Sequence, residues 1–360
     1  MLQLRTISII QFKNYTGSVF HFPDRITAIC GKNGIGKTNL LDAIYYLCFT
    51  KSYFARTDSQ NVHNGLSGFR IEGEFEDNGQ SLKTVVVLRE NGKKEFSINN
   101  ESYTKFSSHI GRFPCVIIAP DDVQIISGAS EERRRFLDAL LSQLDAAYLQ
   151  QLISYNKVLQ QRNTYLRSVE NRNADQKLLD VYDSQLTEFG NIIFKTRSAF
   201  LQQFVHKVQN FYQQIAGTNE SIDIVYKSQL SDNSFPELFV QFREKDVLLQ
   251  RTNAGVHKDD LEIRMNDQAF KTLASQGQRK SLLFSMKLAE FESLKQAKGF
   301  SPILLLDDVF EKLDADRMNN LLHWVCVQNE GQIFITDTHT ERVSEHLRAL
   351  TDKYHLIELD

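Results

Sequence analysis

Ile26-Thr27-Ala28-Ile29-Cys30 runs straight into Gly31-Lys32-Asn33-Gly34-Ile35-Gly36-Lys37-Thr38, and the reading of that stretch decides the fold. The first segment is a compact apolar strand, and the second is a full G-x-x-x-x-G-K-[ST] match. Its glycines let backbone N–H groups turn inward and cradle phosphate oxygens, and the helix that starts there aims its positive dipole end at the same anion. In that geometry Lys37 bridges the β- and γ-phosphates of a nucleotide, and the Thr38 hydroxyl holds Mg²⁺. Leu40, Leu41, Ile44, Leu47 and Cys48 follow at helical spacing, which completes a strand–loop–helix context.

Working outward, Ile303-Leu304-Leu305-Leu306-Asp307-Asp308 reads as a fully buried parallel strand delivering two carboxylates to the end of the sheet. Asp307 suits the Mg²⁺ partner, direct or through water, and Asp308 the group that orients or deprotonates an attacking water. Ala274-Ser275-Gln276-Gly277-Gln278 opens a helix, with Ser275 a natural N-cap. Further strands are predicted at 4–10, 18–22, 69–76, 83–89, 95–98, 115–119, 332–336 and 355–359. Residues 131–216 read as mostly helical: Phe136, Leu140 and Leu144 share a face, as do Phe204, Val208, Phe211 and Ile215. Asn171-Arg172-Asn173 breaks that region into two helices, and mixed strand signals fill 222–270. The order is that of an α/β protein whose sheet is split in sequence.

Composition narrows the classes. With 42 Lys+Arg against 45 Asp+Glu the net charge is 42 − 45 = −3, so net charge alone cannot hold nucleic acid and any DNA contact needs a local or two-subunit patch. Hydrophobic residues at 41% exclude general disorder. Cys30, Cys48, Cys115 and Cys326 are far apart without a CxxC pair, which argues for buried thiols rather than zinc or disulfides. No signal peptide and no apolar run of bilayer length is visible, so the expected location is cytoplasmic, with no membrane partner.

Ser-x-Gly-Gln some thirty residues before the acidic strand is the layout of the ABC-type ATPases. Those proteins sandwich ATP between the phosphate loop of one protomer and this signature segment of the other. That likeness implies cofactor-binding roles for Ser275, Gln276 and Gly277, and gives Asp314, in Glu311-Lys312-Leu313-Asp314, a place in the segment that crosses to the opposite site. The chain resembles the RecF family of bacterial DNA repair and replication more narrowly, over essentially its whole length. The resemblance is carried by Gln11-Phe12-Lys13-Asn14-Tyr15, Gly31–Asn39 with Leu40-Leu41-Asp42-Ala43-Ile44, and Ala119-Pro120-Asp121-Asp122. It continues in Gly128 through Glu132-Arg133-Arg134-Arg135-Phe136-Leu137-Asp138, Gly255-Val256-His257-Lys258-Asp259-Asp260-Leu261, Ala274–Gln278 and Leu306-Asp307-Asp308-Val309-Phe310.

The resemblance implies an ABC-type P-loop ATPase head of two lobes without a long coiled coil. Residues 1–124 and 302–360 would form a mixed α/β nucleotide lobe, and 125–301 an inserted, mainly helical lobe carrying the signature. It also implies that ATP with Mg²⁺ closes a homodimer on DNA at junctions of single and double strands, and that hydrolysis reopens it. Asn39 joins the nucleotide contacts, and the RecR and RecO proteins are the implied partners in gap repair, replication restart and the SOS response. Asp308 stands where a Glu is usual, so hydrolysis should be slow, a weak DNA-dependent ATPase acting as a timer. Lys13 and Lys258 replace Arg, and Ser130 and Val256 replace prolines, which should loosen two loops. Asp337 occupies the place of a transporter's switch histidine, with His339 two residues on and expected in a solvated loop. Arg133-Arg134-Arg135 reads equally as a DNA or partner patch and as ion pairs with Glu131-Glu132. Gln124 is open between a glutamine-loop role and none. His257 beside Asp259-Asp260 lacks the partners of a metal site. The alternatives are a transporter ATPase subunit, opposed by Asp337 and the long helical insertion, and a defence-type ATPase with nuclease activity, opposed by the lack of a second acidic cluster.

Overall fold

The computed structural model describes residues 1–169, 174–217, 220–309 and 315–360; Asn171-Arg172-Asn173 and Asp314 lie outside them. The chain divides into a first unit, Met1–Val123, Asn210–Asn219 and Ser275–Asp360, and a second unit, Gln124–Gln209 and Glu220–Ala274.

The first unit holds two sheets. The antiparallel one has the order β2-β1-β4-β5-β6-β7, from β1 (Leu2–Phe12), β2 (Tyr15–His21), β4 (Phe69–Asp77), β5 (Gln80–Leu88), β6 (Lys94–Ile98) and β7 (Glu101–Ser102). Along β4, Phe69, Ile71 and Phe75 are buried while their neighbours are not, the period of two that a one-sided sheet demands. The parallel sheet has the order β14-β3-β13-β12-β8, from β3 (Ile26–Cys30), β8 (Cys115–Ile118), β12 (Ile303–Leu306), β13 (Ile333–Asp337) and β14 (His355–Glu358). Every residue of β3, β8, β12 and β13 is buried, as expected of strands covered on both faces. Helix α1 (Lys37–Phe49) is apolar nearly all round, with Leu40 to Phe49 buried in one core with β1, β4 and the parallel strands. Gly73 on β4 permits that approach, because a Cβ there would come within 2.5 Å of Leu47 Cδ1. The buried Gln332 side chain links the sheets: the Leu4 N–H donates to its Oε1 (2.6 Å), and its Nε2 donates to the Leu4 carbonyl (2.8 Å).

The second unit contains α2 (Gln124–Ser127), α3 (Ser130–Leu144), α4 (Ala146–Ser168) and most of α5 (Gln176–Ala216). It also holds α6 (Phe235–Leu249), α7 (Phe270–Leu273) and a small antiparallel sheet, β11-β10-β9, from β9 (Ile222–Lys227), β10 (Asp260–Met265) and β11 (Gln268–Ala269). The first unit resumes with α8 (Gln276–Lys298), α9 (Ala315–His323) and α10 (Thr340–Arg348).

Three expectations change. Residues 222–270 are not only strands: α6 fills their middle, closed by a reciprocal Ser234–Glu237 capping box with Pro236 in its first turn. The expected helical lobe of 125–301 loses its last part, since α8 packs on β8 and groups with the first unit from Ser275 onward, as does Asn210–Asn219. The loop at Val256 is not loose, because Val256 is buried and its carbonyl accepts from Arg197 Nη1 at 2.8 Å. The four cysteines are buried free thiols. Among the described residues, no helix is long and apolar enough to cross a membrane.

Candidate nucleotide site

Parallel strands deliver their carboxyl ends to one edge of the sheet. Here β3 leads into Gly31, β12 ends before Asp307, and β13 ends at Asp337. The Gly31 N–H donates to the Asp337 carbonyl, tying the first residue of the loop to β13. Gly34 (φ 81°) and Gly36 (φ 124°) occupy backbone regions that a side chain disfavours. At Gly36 a Cβ would also lie 2.7 Å from Asn14 Nδ2. Asn14 and Tyr15 clamp the loop: Asn14 Nδ2 donates to the Ile35 carbonyl (2.7 Å), and the Tyr15 hydroxyl to the Gly36 carbonyl (3.0 Å). Asn39 Nδ2 donates to Asn14 Oδ1 at 2.7 Å. Helix α1 begins with no side-chain cap and no acidic residue in its first turn, which leaves its N-terminal field available to an anion.

Lys37 is buried, with Nζ donating to the carbonyls of Gly31 (2.7 Å) and Lys32 (3.0 Å). The Thr38 hydroxyl lies 3.0 Å from both oxygens of Asp307, so the glycine loop and the acidic strand meet at this pair. Burial lifts the Asp307 carboxyl above its usual range, against the opposing hydrogen bonds from Thr336 and Thr38. A carboxylate held in that state gains from a nearby cation. Thr336, fully buried at the end of β13, donates from Oγ1 to Asp307 Oδ1 (2.8 Å) and accepts from the Asp308 N–H (2.9 Å). It thereby fixes Asp308 in a left-handed backbone conformation, φ 50°. Thr336 is not visible in the sequence, since a Thr inside an apolar strand carries no linear signal, and Asn14-Tyr15 stand out there only as part of the family resemblance.

Asp337 is fully buried and accepts two bonds from Arg342 Nη2 (2.7 and 2.8 Å) and one from the His339 N–H, while the His339 ring is exposed. Ser275 caps α8 in a reciprocal box with Gln278. Among the described residues, no hydrogen bond links Ser275, Gln276 or Gly277 to residues 31–39. Gln124 is the exposed first residue of α2. Arg133 pairs with Asp260, Arg134 donates to the Asp259 carbonyl, and Arg135 pairs with Glu131 and Glu132. All three are therefore engaged within the second unit. Both ring nitrogens of His257 are also occupied. Nε2 faces the Thr252 carbonyl (3.1 Å) and must donate, so Nδ1 accepts from the Tyr155 hydroxyl (2.8 Å).

Comparison with known proteins agrees with this geometry. The family model described as the RecF/RecN/SMC N-terminal domain matches residues 3–355. The DNA replication and repair protein RecF of Flavobacterium johnsoniae is 42% identical over 359 residues, 99% of this chain and 100% of that protein. The recombination mediator protein RecF of the RecFOR pathway, in its ATP form, superposes with a TM-score of 0.86 at 28% identity, covering 94% of this chain and 92% of that one. An Smc head domain from Pyrococcus furiosus shares the fold at TM-score 0.57 and 15% identity, covering 100% and 94%. The chain belongs to the RecF family.

Proposed function

We propose that this chain is an ATP-driven DNA-binding protein of recombinational repair and replication restart. The observation that carries the reading is the Thr38–Asp307–Thr336 linkage, which joins a phosphate-cradling loop to the acidic strand in a RecF-family chain. Gly31, Lys32, Asn33, Gly34, Ile35, Gly36 and Asn39 shape the cradle for the triphosphate. Lys37, poised on the carbonyls of Gly31 and Lys32, exchanges those acceptors for more strongly negative phosphate oxygens. Thr38 and Asp307 offer two hard oxygen donors at one point. Among the described residues no cluster of three His, Cys, Asp or Glu could hold a metal by itself. That fits Mg²⁺, which takes one or two protein oxygens and completes its shell with phosphates and water. When bound, Mg²⁺ would neutralise phosphate charge. Asp308 orients water and accepts its proton as ATP and water give ADP and phosphate.

In this reading the site is half complete in one chain. Ser275, Gln276, Gly277 and Asp314 reach the γ-phosphate of a second copy, so ATP stabilises a homodimer by binding its closed state alone. The closed dimer grips DNA at junctions of double and single strand, hydrolysis releases it, and RecR and RecO act with it in gap repair and SOS induction. Asp308, one methylene shorter than Glu, makes turnover slow. Binding to gapped duplex, single strand and intact duplex, with no nucleotide, ADP or ATP, tests the reading when paired with sedimentation. ATP alone should yield a DNA-bound dimer, and Lys37→Met and Ser275→Arg should lose it. Because Ser275 also caps α8, Ser275→Asp separates the roles: it keeps an N-capping oxygen for the helix but sets a negative charge against the γ-phosphate, so the fold should hold and the dimer should be lost. Mass and DNA affinity that ignore nucleotide would end the proposal, and turnover of many per second would end the timer.

A further inference from the structure

One motif, Gly255–Asp260, is left without a task by the nucleotide site, although the second unit holds it with unusual thoroughness. Arg197 Nη1 donates to the Val256 carbonyl (2.8 Å) and to Asp259 Oδ2 (2.9 Å). Arg133 pairs with Asp260 (2.6 Å), and Arg134 Nη1 donates to the Asp259 carbonyl (2.6 Å). His257 is locked through both ring nitrogens, and the Lys258 N–H closes a tight turn on the Gly255 carbonyl (2.9 Å). From this fixed turn only Lys258 is exposed.

Beside it the chain leaves α6 through Gln250 in the left-handed region (φ 52°), and the Arg251 N–H donates to the Asp246 carbonyl. Thr252, with its N–H on Asn163 Oδ1 (2.7 Å), anchors the far side of Arg251. Arg251 and Lys245 are exposed too, and with Arg134 they lie close enough to Lys258 to act on it. Partial burial, followed by the Arg251, Arg134 and Lys245 charges, holds its amine below the usual lysine range, while Asp246 opposes them. Asp246 is already committed to Arg162 and Asn253. Among the described residues, neither Lys245, Arg251 nor Lys258 forms a salt bridge. The first unit's antiparallel sheet does the opposite: Arg5 pairs with Glu76, Arg70 and Lys83 with Glu72, and Arg89 and Lys93 with Glu95. Like charges gathered on a rigid backbone, with the opposing Asp246 carboxylate buried and already bonded, are matched by an extended anion. In a chain of net charge −3, attraction to DNA has to come from such a place.

We propose that Lys245, Arg251 and Lys258 form a contact surface for the phosphodiester backbone of DNA. This deepens the DNA-binding reading above and rests on it. The test is fluorescence anisotropy of the full chain with ATP on a labelled gapped duplex, over about 50–200 mM salt. Each phosphate contact contributes about one to the slope of log affinity against log salt, so Arg251→Ala with Lys258→Ala should flatten it by about two. Affinity at the low-salt end should fall about tenfold or more, equally for all sequences. Arg251→Lys with Lys258→Arg should keep the slope, as should Lys157→Ala, an exposed cation on α4. Unchanged slope and affinity in the double alanine variant would overturn the proposal, including the case where an acidic protein is found to use the face instead. Weakened binding with an unchanged slope would overturn it as well, because the loss would then be structural. Wild type that binds no DNA under any condition would instead remove the underlying reading.

Discussion

The two units bury different things. The first is built around an apolar cluster of β1, β3, β4, α1, β12 and β13 side chains, with buried polar groups such as Lys37, Asp307 and Thr336 gathered at the candidate nucleotide site. The second buries two arginines almost completely. Arg162 reaches Asp183, Asp246 and Thr252, and Arg197 reaches Asp138, Asp259, Tyr148 and the Val256 carbonyl. An apolar interior tolerates imperfect partners, whereas a buried charge network fails at its first missing member. The lesson is that pairing weighs more heavily in the second unit, although the first also sets buried Lys287 against Asp122 and Glu290. The largest effect we expect follows directly. Arg197→Met should cost about 3–5 kcal/mol in denaturant unfolding, because it strands Asp138 and Asp259 without their cation. Hydrogen exchange should place the loosening at Val256–Asp260. A cost below about 1 kcal/mol would show that pairing does not hold this unit.

That contrast also explains what could be read in advance. The strand Ile26–Cys30, the loop after it, α1 and the strand Ile303–Leu306 follow from the sequence, because glycine placement, apolar runs and terminal acids are local signals. Ser275 was legible as a cap for the same reason. In the second unit the partners of Arg162 and Arg197 lie 21 to 90 residues away, a separation that no periodicity reveals. Arg133 and Arg134 therefore stayed ambiguous until their acceptors at Asp259 and Asp260 were seen. Helix α6 was missed although Ser234-Phe235-Pro236-Glu237 announces its start, because apolar residues at Val240, Leu248 and Leu249 remain exposed and blur the helical period.

Each unit also carries a buried histidine that sharpens the comparison at about 3 kcal/mol, as the gap between the ordinary and folded values converts at 1.36 kcal/mol per pH unit. Burial pushes both His109 and His257 down to about 4. In the unfolded chain such rings protonate near 6.5, so between about 6.5 and 4 the unfolded state binds more protons. Stability from each is complete above that window and is lost as pH falls through it. His109→Gln and His257→Gln, which keep a donor and an acceptor without titrating, should each remove one such contribution from urea melts taken between pH 7 and 5. Glu290, buried beside Lys287, is raised to about 7 and works with the opposite sign. The folded state holds its proton above the ordinary 4.5, so stability from it falls as pH rises from 4.5 toward 7. Glu290→Gln should flatten that fall. A pH profile unmoved by either histidine change would mean that these rings titrate as they do in water.

The smallest of these effects on stability is the most informative about the site, since at Thr336 the first unit, too, depends on polar partners. Thr336→Val keeps shape and apolar contacts but strands the Asp308 N–H and leaves Asp307 Oδ1 with the Thr38 hydroxyl alone, at a cost of about 1–3 kcal/mol. Part of that cost is felt locally, because the left-handed Asp308 backbone, an uncommon state for a non-glycine residue, loses the bond that holds it. If Asp308 orients water and Asp307 serves the metal, kcat for ATP should fall about ten- to a hundredfold, since each 1.4 kcal/mol is about tenfold in rate. KM should barely change, because Lys37 and the glycine loop are untouched. The Mg²⁺ concentration needed for nucleotide-induced dimerisation should rise, a readout that does not depend on turnover. Thr336→Ser restores both hydrogen bonds and should rescue all three measurements. Equal losses in Ser and Val would assign the residue to packing alone, and the site would then be held by shape.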